Sequence, residues 1–136
     1  MPIIHPDDPI RLLVTSPTVS IEPTATLYDV ATRLDREVVG ALLVMPDDDV
    51  SGVVSERDIV HAIAHGGALD DVWAADVMND EPIRIDLDEP IWAAAERMLA
   101  EGVRHLPVVD GSEVVGVVSI RDVLRVFLDE WNRLTE

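Results

Sequence analysis

Hydrophobic positions along the chain follow two spacings, and the same order of spacings occurs twice. Residues 18–22 and 82–86 alternate apolar and polar side chains, a pattern typical of half-buried strands. Each stretch is followed by apolar residues three and four positions apart, which predicts an amphipathic helix. The helix positions are Leu27, Val30, Ala31 and Leu34 in the first copy and Ile91, Ala94, Ala95 and Met98 in the second.

Two short apolar runs come after each predicted helix, separated by residues that favour turns. The runs cover 41–45 and 50–54 in the first copy, and 106–109 and 114–118 in the second. Aspartate-rich or Asp-Gly separators predict a hairpin in each copy. A second helix follows each hairpin, and Gly66-Gly67 ends the first of these helices. The predicted order of elements in each copy is therefore βαββα.

The two copies align without gaps at a shift of 64 residues, as between Gly52 and Gly116. The stretch from Gly52 reads G-V-V-S-E-R-D and the stretch from Gly116 reads G-V-V-S-I-R-D. A unit of about 60 residues buries too little surface to be comfortably stable alone, so we expect the copies to pack together. The predicted fold class is α/β (α+β), with two βαββα repeats related by pseudo-twofold symmetry. The predicted domains are 1–67, an N-terminal extension and first repeat, and 68–136, a connector and second repeat.

Composition narrows the function classes. The chain has 136 residues, no apolar run approaches the roughly 20 residues that span a bilayer, and the N-terminus lacks signal-peptide features, so we expect a cytoplasmic protein without membrane contact. A formal net charge of -17 disfavours direct nucleic-acid binding. The absence of cysteine excludes disulfides, thiolate metal sites and a cysteine nucleophile. No catalytic triad, Walker loop or dinucleotide fingerprint is evident, so we expect no enzyme activity.

The doubled G-V-V-S-x-R-D motif, the βαββα order and the segment R-H-L-P-V-V-D at 104–110 carry a resemblance. The chain resembles a tandem pair of CBS (cystathionine-β-synthase) domains, or Bateman module, from about Leu12 to Leu128. The resemblance implies a regulatory sensor that binds AMP, ADP, ATP or S-adenosylmethionine in the cleft between the repeats and requires no cofactor. It also implies a homodimer and a regulated protein partner that the sequence does not identify.

The resemblance also implies roles for individual residues. The aspartates of the doubled motif would accept hydrogen bonds from ribose hydroxyls, and its serines would donate to phosphate or ribose. Arginines and a histidine would contact phosphate, and the segments before the first strands would contact adenine. The implied site residues are Thr18, Val19, Ser55, Arg57, Asp58, Pro82, Ile83, Arg104, His105, Pro107, Ser119, Arg121 and Asp122.

The first repeat has Gly40-Ala41 where the second has Arg104-His105, so the two sites differ in charge. Arginine suits phosphate because its planar guanidinium makes two charge-assisted bonds. We therefore expect one occupied site rather than two.

The Ser-x-x-Asp pattern also has a purely structural interpretation. Serine is a favoured N-cap, and an aspartate three residues later can bond the cap's own N–H. This interpretation explains both copies without a ligand. The alternative function is therefore a structural or adaptor homodimer with no ligand.

The remaining histidines and the tryptophans give weaker signals. His61 and His65 are four residues apart on a predicted helix, which can bring two imidazoles to one metal, but no third ligand is evident and no metal site is predicted. His5 lies in a Pro- and Asp-rich start that we expect to be loosely held. The tryptophans at 73, 92 and 131 are interpreted as core or interface anchors, with position 131 at an interface.

Overall fold

A computed structural model describes residues 3–14 and 19–135. Contacts within the chain group into two compact units. The first-repeat unit is Thr18–Pro82, and the second-repeat unit combines Met1–Pro17 with Ile83–Glu136. The N-terminal segment therefore packs with the second repeat, and the connector packs with the first. The division into 1–67 and 68–136 follows the sequence repeat and stays a prediction.

The first-repeat unit contains the predicted βαββα order. Its strands form a sheet in the order β1, β2, β3, with β1 parallel to β2 and β2 antiparallel to β3. The first strand is shorter than the alternating pattern predicted, and a short helix in the connector was not predicted. The elements are β1 (Ser20–Ile21), α1 (Leu27–Glu37), β2 (Ala41–Val44), β3 (Gly52–Ser55), α2 (Glu56–Ala64) and α3 (Ala74–Val77).

The second-repeat unit has the same topology, with its sheet in the order β4, β5, β6. A short 3-10 turn, Ile10–Leu13, comes from the N-terminal segment. The elements are β4 (Ile85–Asp86), α4 (Ile91–Glu101), β5 (His105–Asp110), β6 (Glu113–Ser119) and α5 (Ile120–Leu134). The mixed α+β fold class predicted from the repeat is confirmed.

Each unit has its own hydrophobic core on one face of its sheet. The first core takes Leu27, Val30 and Leu34 from α1, all predicted as the buried helix face. Burying an aliphatic side chain of this size stabilises by about 1.5–3 kcal/mol. The second core takes Ile91, Ala94 and Met98 from α4 at the same repeat positions.

The N-terminal segment is an integral part of the second-repeat unit. Ile10 is fully buried in its core, and the Ile10 N–H donates to the Glu89 carbonyl at 2.8 Å. His5 Nδ1 lies 3.0 Å from Glu130 Oε2 on α5. The expectation that this segment is loosely held was therefore wrong. The buried Ile10 and several backbone hydrogen bonds hold the segment in place. The prolines and aspartates around Ile10 give no sign of these contacts in the sequence.

The connector takes the corresponding place in the first-repeat unit. Ala74, 64 residues after Ile10, is also fully buried. Its N–H donates to the Ala25 carbonyl at 2.8 Å, matching the bond between Ile10 and Glu89. Each repeat is thus completed by the segment that comes just before the other repeat in the sequence.

The three tryptophans lie at the surface rather than in the cores. Trp73, Trp92 and Trp131 are 48%, 43% and 64% exposed. The core interpretation is therefore wrong for all of them. The interface interpretation stays a prediction.

Candidate functional site

The two Ser-x-x-Asp motifs form reciprocal capping boxes at the starts of α2 and α5. In the second-repeat unit, the Asp122 N–H donates to Ser119 Oγ at 3.2 Å, and the Ser119 N–H donates to Asp122 Oδ2 at 3.0 Å. The Ser119 hydroxyl also lies 2.9 Å from Asp122 Oδ2. The Ser-x-x-Asp motif therefore caps a helix in the folded chain.

The first-repeat unit repeats this geometry. The Ser55 N–H donates to Asp58 Oδ2 at 2.8 Å, and the Asp58 N–H approaches Ser55 Oγ at 3.4 Å. In both boxes the described bonds reach only one carboxylate oxygen, Oδ2. Both aspartates are half-buried, so their carboxylates still meet solvent.

Strand register places the start of the middle strand beside each capping box. Ser119 is paired with His105 across β5 and β6, and Ser55 is paired with Ala41 across β2 and β3. The Ile120 N–H, the first of helix α5, donates to the Arg104 carbonyl at 2.8 Å. The structure therefore brings Arg104, His105, Ser119 and Asp122 to one end of the second-repeat sheet.

The helix starts retain a backbone donor. The first N–H of each helix donates to the carbonyl just before the middle strand, at Gly40 or Arg104, and the third donates to the serine hydroxyl. Within the described residues, the second N–H, at Arg57 and at Arg121, has no hydrogen-bond acceptor. A helix N-terminus also carries a partial positive charge, so this donor suits an anion. The side chains of Arg57 and Arg121 are exposed on the same turn.

Pro107 changes the edge of the second-repeat sheet. In the first-repeat unit, the Leu43 N–H donates to the Val19 carbonyl at 3.2 Å. Pro107 occupies the position of Leu43 and has no N–H, so the Ile83 carbonyl cannot receive the matching bond. The strand β4 begins only at Ile85. Sequence reasoning placed Pro107 at the site without this consequence, although the shift of 64 residues shows it.

The segments before the first strands are only partly described. Val19 is half-buried and pairs through its carbonyl with β2, whereas Ile83 is 38% exposed and Pro82 is half-buried. Thr18, predicted at the site, lies outside the described residues.

The surroundings of the two helix starts differ in charge. The second-repeat site has Arg104, which is exposed, beside half-buried His105. The first-repeat site has Gly40 and buried Ala41 in these places. The two sites thus share a backbone frame but differ in the chemistry of the middle strand.

Surface concavities occur elsewhere in each unit. One of about 440 Å³ lies along α4, between Trp92, Arg97 and Glu101, and one of about 740 Å³ lies beside α1, between Ser20, Arg33 and Asp48. Neither is lined by a predicted site residue.

Within residues 3–14 and 19–135, no helix is long and apolar enough to cross a membrane. No group of three or more histidine, aspartate or glutamate side chains in this part of the chain is arranged to hold a metal ion.

Comparison with known families settles the type of module. The CBS domain model matches the chain twice, at residues 10–65 and 74–129. The chain belongs to the CBS-domain family. Its two matches make it a CBS pair, and each match covers one of the βαββα repeats.

Individual relatives resemble this CBS pair over most of its length. An uncharacterized protein of Methanopyrus kandleri is 30% identical over 107 residues, which are 76% of this chain and 55% of the relative. The chain thus spans about half the length of that relative. A CBS domain protein of Pyrobaculum aerophilum, solved in complex with AMP, is 36% identical with a TM-score of 0.78, covering 89% of this chain and 96% of that one.

A more distant CBS domain pair supports the fold alone. It was solved in complex with 5'-methylthioadenosine and S-adenosyl-L-methionine, and it is 22% identical with a TM-score of 0.81. The match covers 95% of this chain and 99% of that chain.

Proposed function

We propose that this CBS pair is a regulatory module, without enzyme activity, that binds an adenine nucleotide or a related adenosyl compound at the second-repeat helix start. The observation that carries the proposal is the register that places Arg104 and His105 beside the capping box of Ser119 and Asp122. The AMP complex of the Pyrobaculum relative supports this ligand class.

Asp122 is suited to the ribose. Its Oδ2 receives the bonds from Ser119 that the structure describes, which leaves Oδ1 for a ligand. A carboxylate only accepts, and a ribose offers two neighbouring hydroxyl donors. The capping box fixes the carboxylate before the ligand arrives, so little side-chain entropy is lost on binding.

The start of α5 is suited to phosphate. The Arg121 N–H has no acceptor within the described residues and lies at the positive end of the helix dipole. Arg104 adds a guanidinium that can bond phosphate oxygens in pairs. These local donors matter because the net charge of -17 opposes an approaching anion.

The segment at Ile83 is suited to adenine. Its carbonyl lacks the bond that Val19 has, because Pro107 has no N–H, and it can accept from the exocyclic amine of the base. The 38% exposed Ile83 side chain supplies apolar contact. Val19 and Pro82 complete this face in the proposal, as does Thr18 from outside the described residues.

One site per chain is proposed. The first-repeat start has Ser55, Arg57 and Asp58 in the same frame, but Gly40-Ala41 supplies no charge. The ligand would act by favouring one conformation of the module, since a ligand shifts an equilibrium only by its differential affinity for the two states. A protein partner would then respond to that state.

A homodimer is part of the proposal. Helix α5 exposes Leu124, Leu128 and Trp131, which lie one turn apart on one face and are 57%, 59% and 64% exposed. On α2, Val60, which corresponds to Leu124, and Ile63, which corresponds to Phe127, are also 65% and 49% exposed. A second copy presents the same apolar surface in return, as a symmetric interface requires.

A structural adaptor without ligand is the second candidate. The observation that favours it is the complete bonding of both capping boxes, because the motif is then explained by helix stability alone. Under this function the dimer persists and nucleotide has no effect.

Calorimetric titration tests the proposal. The full chain is titrated with AMP, ATP, NAD and S-adenosylmethionine at low and high salt, because salt screens contacts between exposed charges. We expect one of these ligands to saturate near one per chain and a phosphate ligand to bind more weakly at high salt. The absence of saturable binding for all four would favour the adaptor.

A further inference from the structure

Two histidines are in contact at the C-terminal end of α2, with His61 in its last turn and His65 at its C-cap. The ring centroids of His61 and His65 lie 4.1 Å apart, with the planes tilted by 31°. Both side chains are exposed, so the rings meet in solvent rather than in a core. Residues four apart share one helix face, which keeps the two imidazoles together in the folded chain.

A backbone bond selects the tautomer of His65. Its Nδ1 lies 2.8 Å from the carbonyl oxygen of His61. A carbonyl oxygen can only accept, so Nδ1 carries the hydrogen in this bond. In the neutral ring the lone pair is then on Nε2, which points away from the backbone bond. Metal-binding histidines characteristically donate their other ring N–H in this manner.

The surroundings favour a cation. The chain carries a net charge of -17, and the C-terminal end of a helix has a partial negative charge. Arg57, one turn before His61, is the opposing charge on the same helix. Asp58 is held in the capping box and is no third ligand.

We propose that His61 and His65 form a two-histidine site for a divalent transition-metal ion. Imidazole nitrogens suit Zn²⁺, Cu²⁺ and Ni²⁺, and two of them on one helix face bind in a chelate. No third metal-binding side chain joins them within the described residues. Water therefore fills the remaining positions, and the ion exchanges readily.

The metal site is independent of the proposed nucleotide function. It uses the last turn of α2, whereas the nucleotide is proposed at the start of α5. The failure of either proposal leaves the other standing, because each has its own ligand and its own variants.

Metal titration of the purified full chain, freed of any histidine tag, is the test. Zn²⁺ and Ni²⁺ are each titrated into the wild type, His61→Ala, His65→Ala and the control His5→Ala, and the heat of binding is measured by calorimetry. Both histidines are exposed, so these variants are expected to fold, and circular dichroism checks this.

The expected result is one ion per wild-type chain. Loss of either histidine should weaken binding by at least the roughly 10- to 100-fold that loss of an outer-shell partner costs, and His5→Ala should bind as the wild type does. Nitrogen-15 spectra of the imidazoles should show His65 with hydrogen on Nδ1 before metal and shifts at both rings after it. Wild-type affinity in either alanine variant, or shifts confined to other histidines, would overturn the proposal.

Discussion

His105 lies directly opposite Ser119 across the antiparallel pair of β5 and β6. Ala41 lies opposite Ser55 in the first repeat, so the same backbone position is beside the helix cap in both units. The fold therefore supplies one frame twice, and the side chains at the start of the middle strand differ in charge between the two copies. This difference leads to predictions that compare each repeat with the other.

The capping serines should separate stability from binding. Ser55→Ala and Ser119→Ala should each lower the free energy of unfolding by about 1 kcal/mol, because each removes an N-cap. Ser119→Ala should also weaken nucleotide binding by about fivefold, because the Asp122 carboxylate proposed to bind the ribose loses the hydroxyl bond that holds it in place, about one net hydrogen bond. Urea unfolding and calorimetry measure the two effects.

Glycine variants provide the matched control for this prediction. Glycine at an N-cap costs only a few tenths of a kcal/mol, so Ser119→Gly should remain nearly as stable yet lose the same affinity. Ser55→Gly should bind nucleotide as the wild type does. An equal loss of binding in both glycine variants would contradict the single site.

Pro107→Leu tests the adenine contact. Leucine is the residue at the matching position 43, and its N–H can donate to the Ile83 carbonyl as the Leu43 N–H does to Val19. We expect AMP to bind about fivefold more weakly, because the base loses one net hydrogen bond. Ribose 5-phosphate, which has no base, should bind the variant and the wild type alike. An unchanged AMP affinity would place the base away from Ile83.

The pair of Glu89 and Arg97 is predicted to make a pH-dependent contribution to the free energy of unfolding. Two bonds of 2.8 and 3.0 Å join them, and the guanidinium of Arg97 holds the pKa of Glu89 below its usual value, while partial burial works in the opposite direction. A carboxyl group whose pKa is lowered in the folded state stabilises the folded chain at pH values above the pKa that the group has in the unfolded chain. That contribution is lost as the pH falls through the folded value.

Glu89→Gln should therefore destabilise the chain at pH 7 by about 0.5–1 kcal/mol, a modest value because both side chains are about one-third exposed. The difference from the wild type should shrink as the pH falls from about 5 to about 3. Urea unfolding at several pH values measures it. Glu37→Gln is the control, since Glu37 Oε1 lies 3.6 Å from Arg33 Nε, and its effect should be smaller. A difference that is constant with pH would contradict the assignment.

The exposed face of α5 predicts the site of self-association. Leu128→Asp should shift the chain toward monomer, because it places a charge in the centre of the apolar face. Light scattering coupled to gel filtration measures the mass. Asp129→Asn, a neighbouring exposed position outside the apolar row, is the control and should leave the mass unchanged. A wild-type chain that is monomeric at all concentrations would refute the dimer.

Much of the fold could be predicted because each hydrophobic and capping pattern occurs in both repeats. The helix faces at Leu27, Val30 and Leu34 and the capping role of Ser55 follow from spacing and residue type, and each is confirmed by its second copy. Helix α4 has no side-chain cap bond, because its N-cap position is Pro90. Glu89 instead accepts the Asp86 N–H, a role that depends on tertiary geometry.

The rest depends on contacts between distant parts of the chain. Nothing local shows that Ile10 enters the core of the second repeat, because it lies among prolines and aspartates. In the second repeat, Pro107 offers no backbone donor to the residues before Ile85, where β4 begins. The site residues could be selected by the family resemblance, and their pairing across the sheet requires the register.

Titration of AMP into the wild type and into Asp122→Asn tests the central claim most directly. The account predicts saturation near one AMP per wild-type chain and at least about tenfold weaker binding by the variant, since a neutral amide replaces the carboxylate that accepts from the ribose. Equal affinity in the two proteins, or no saturable heat in the wild type, would contradict it.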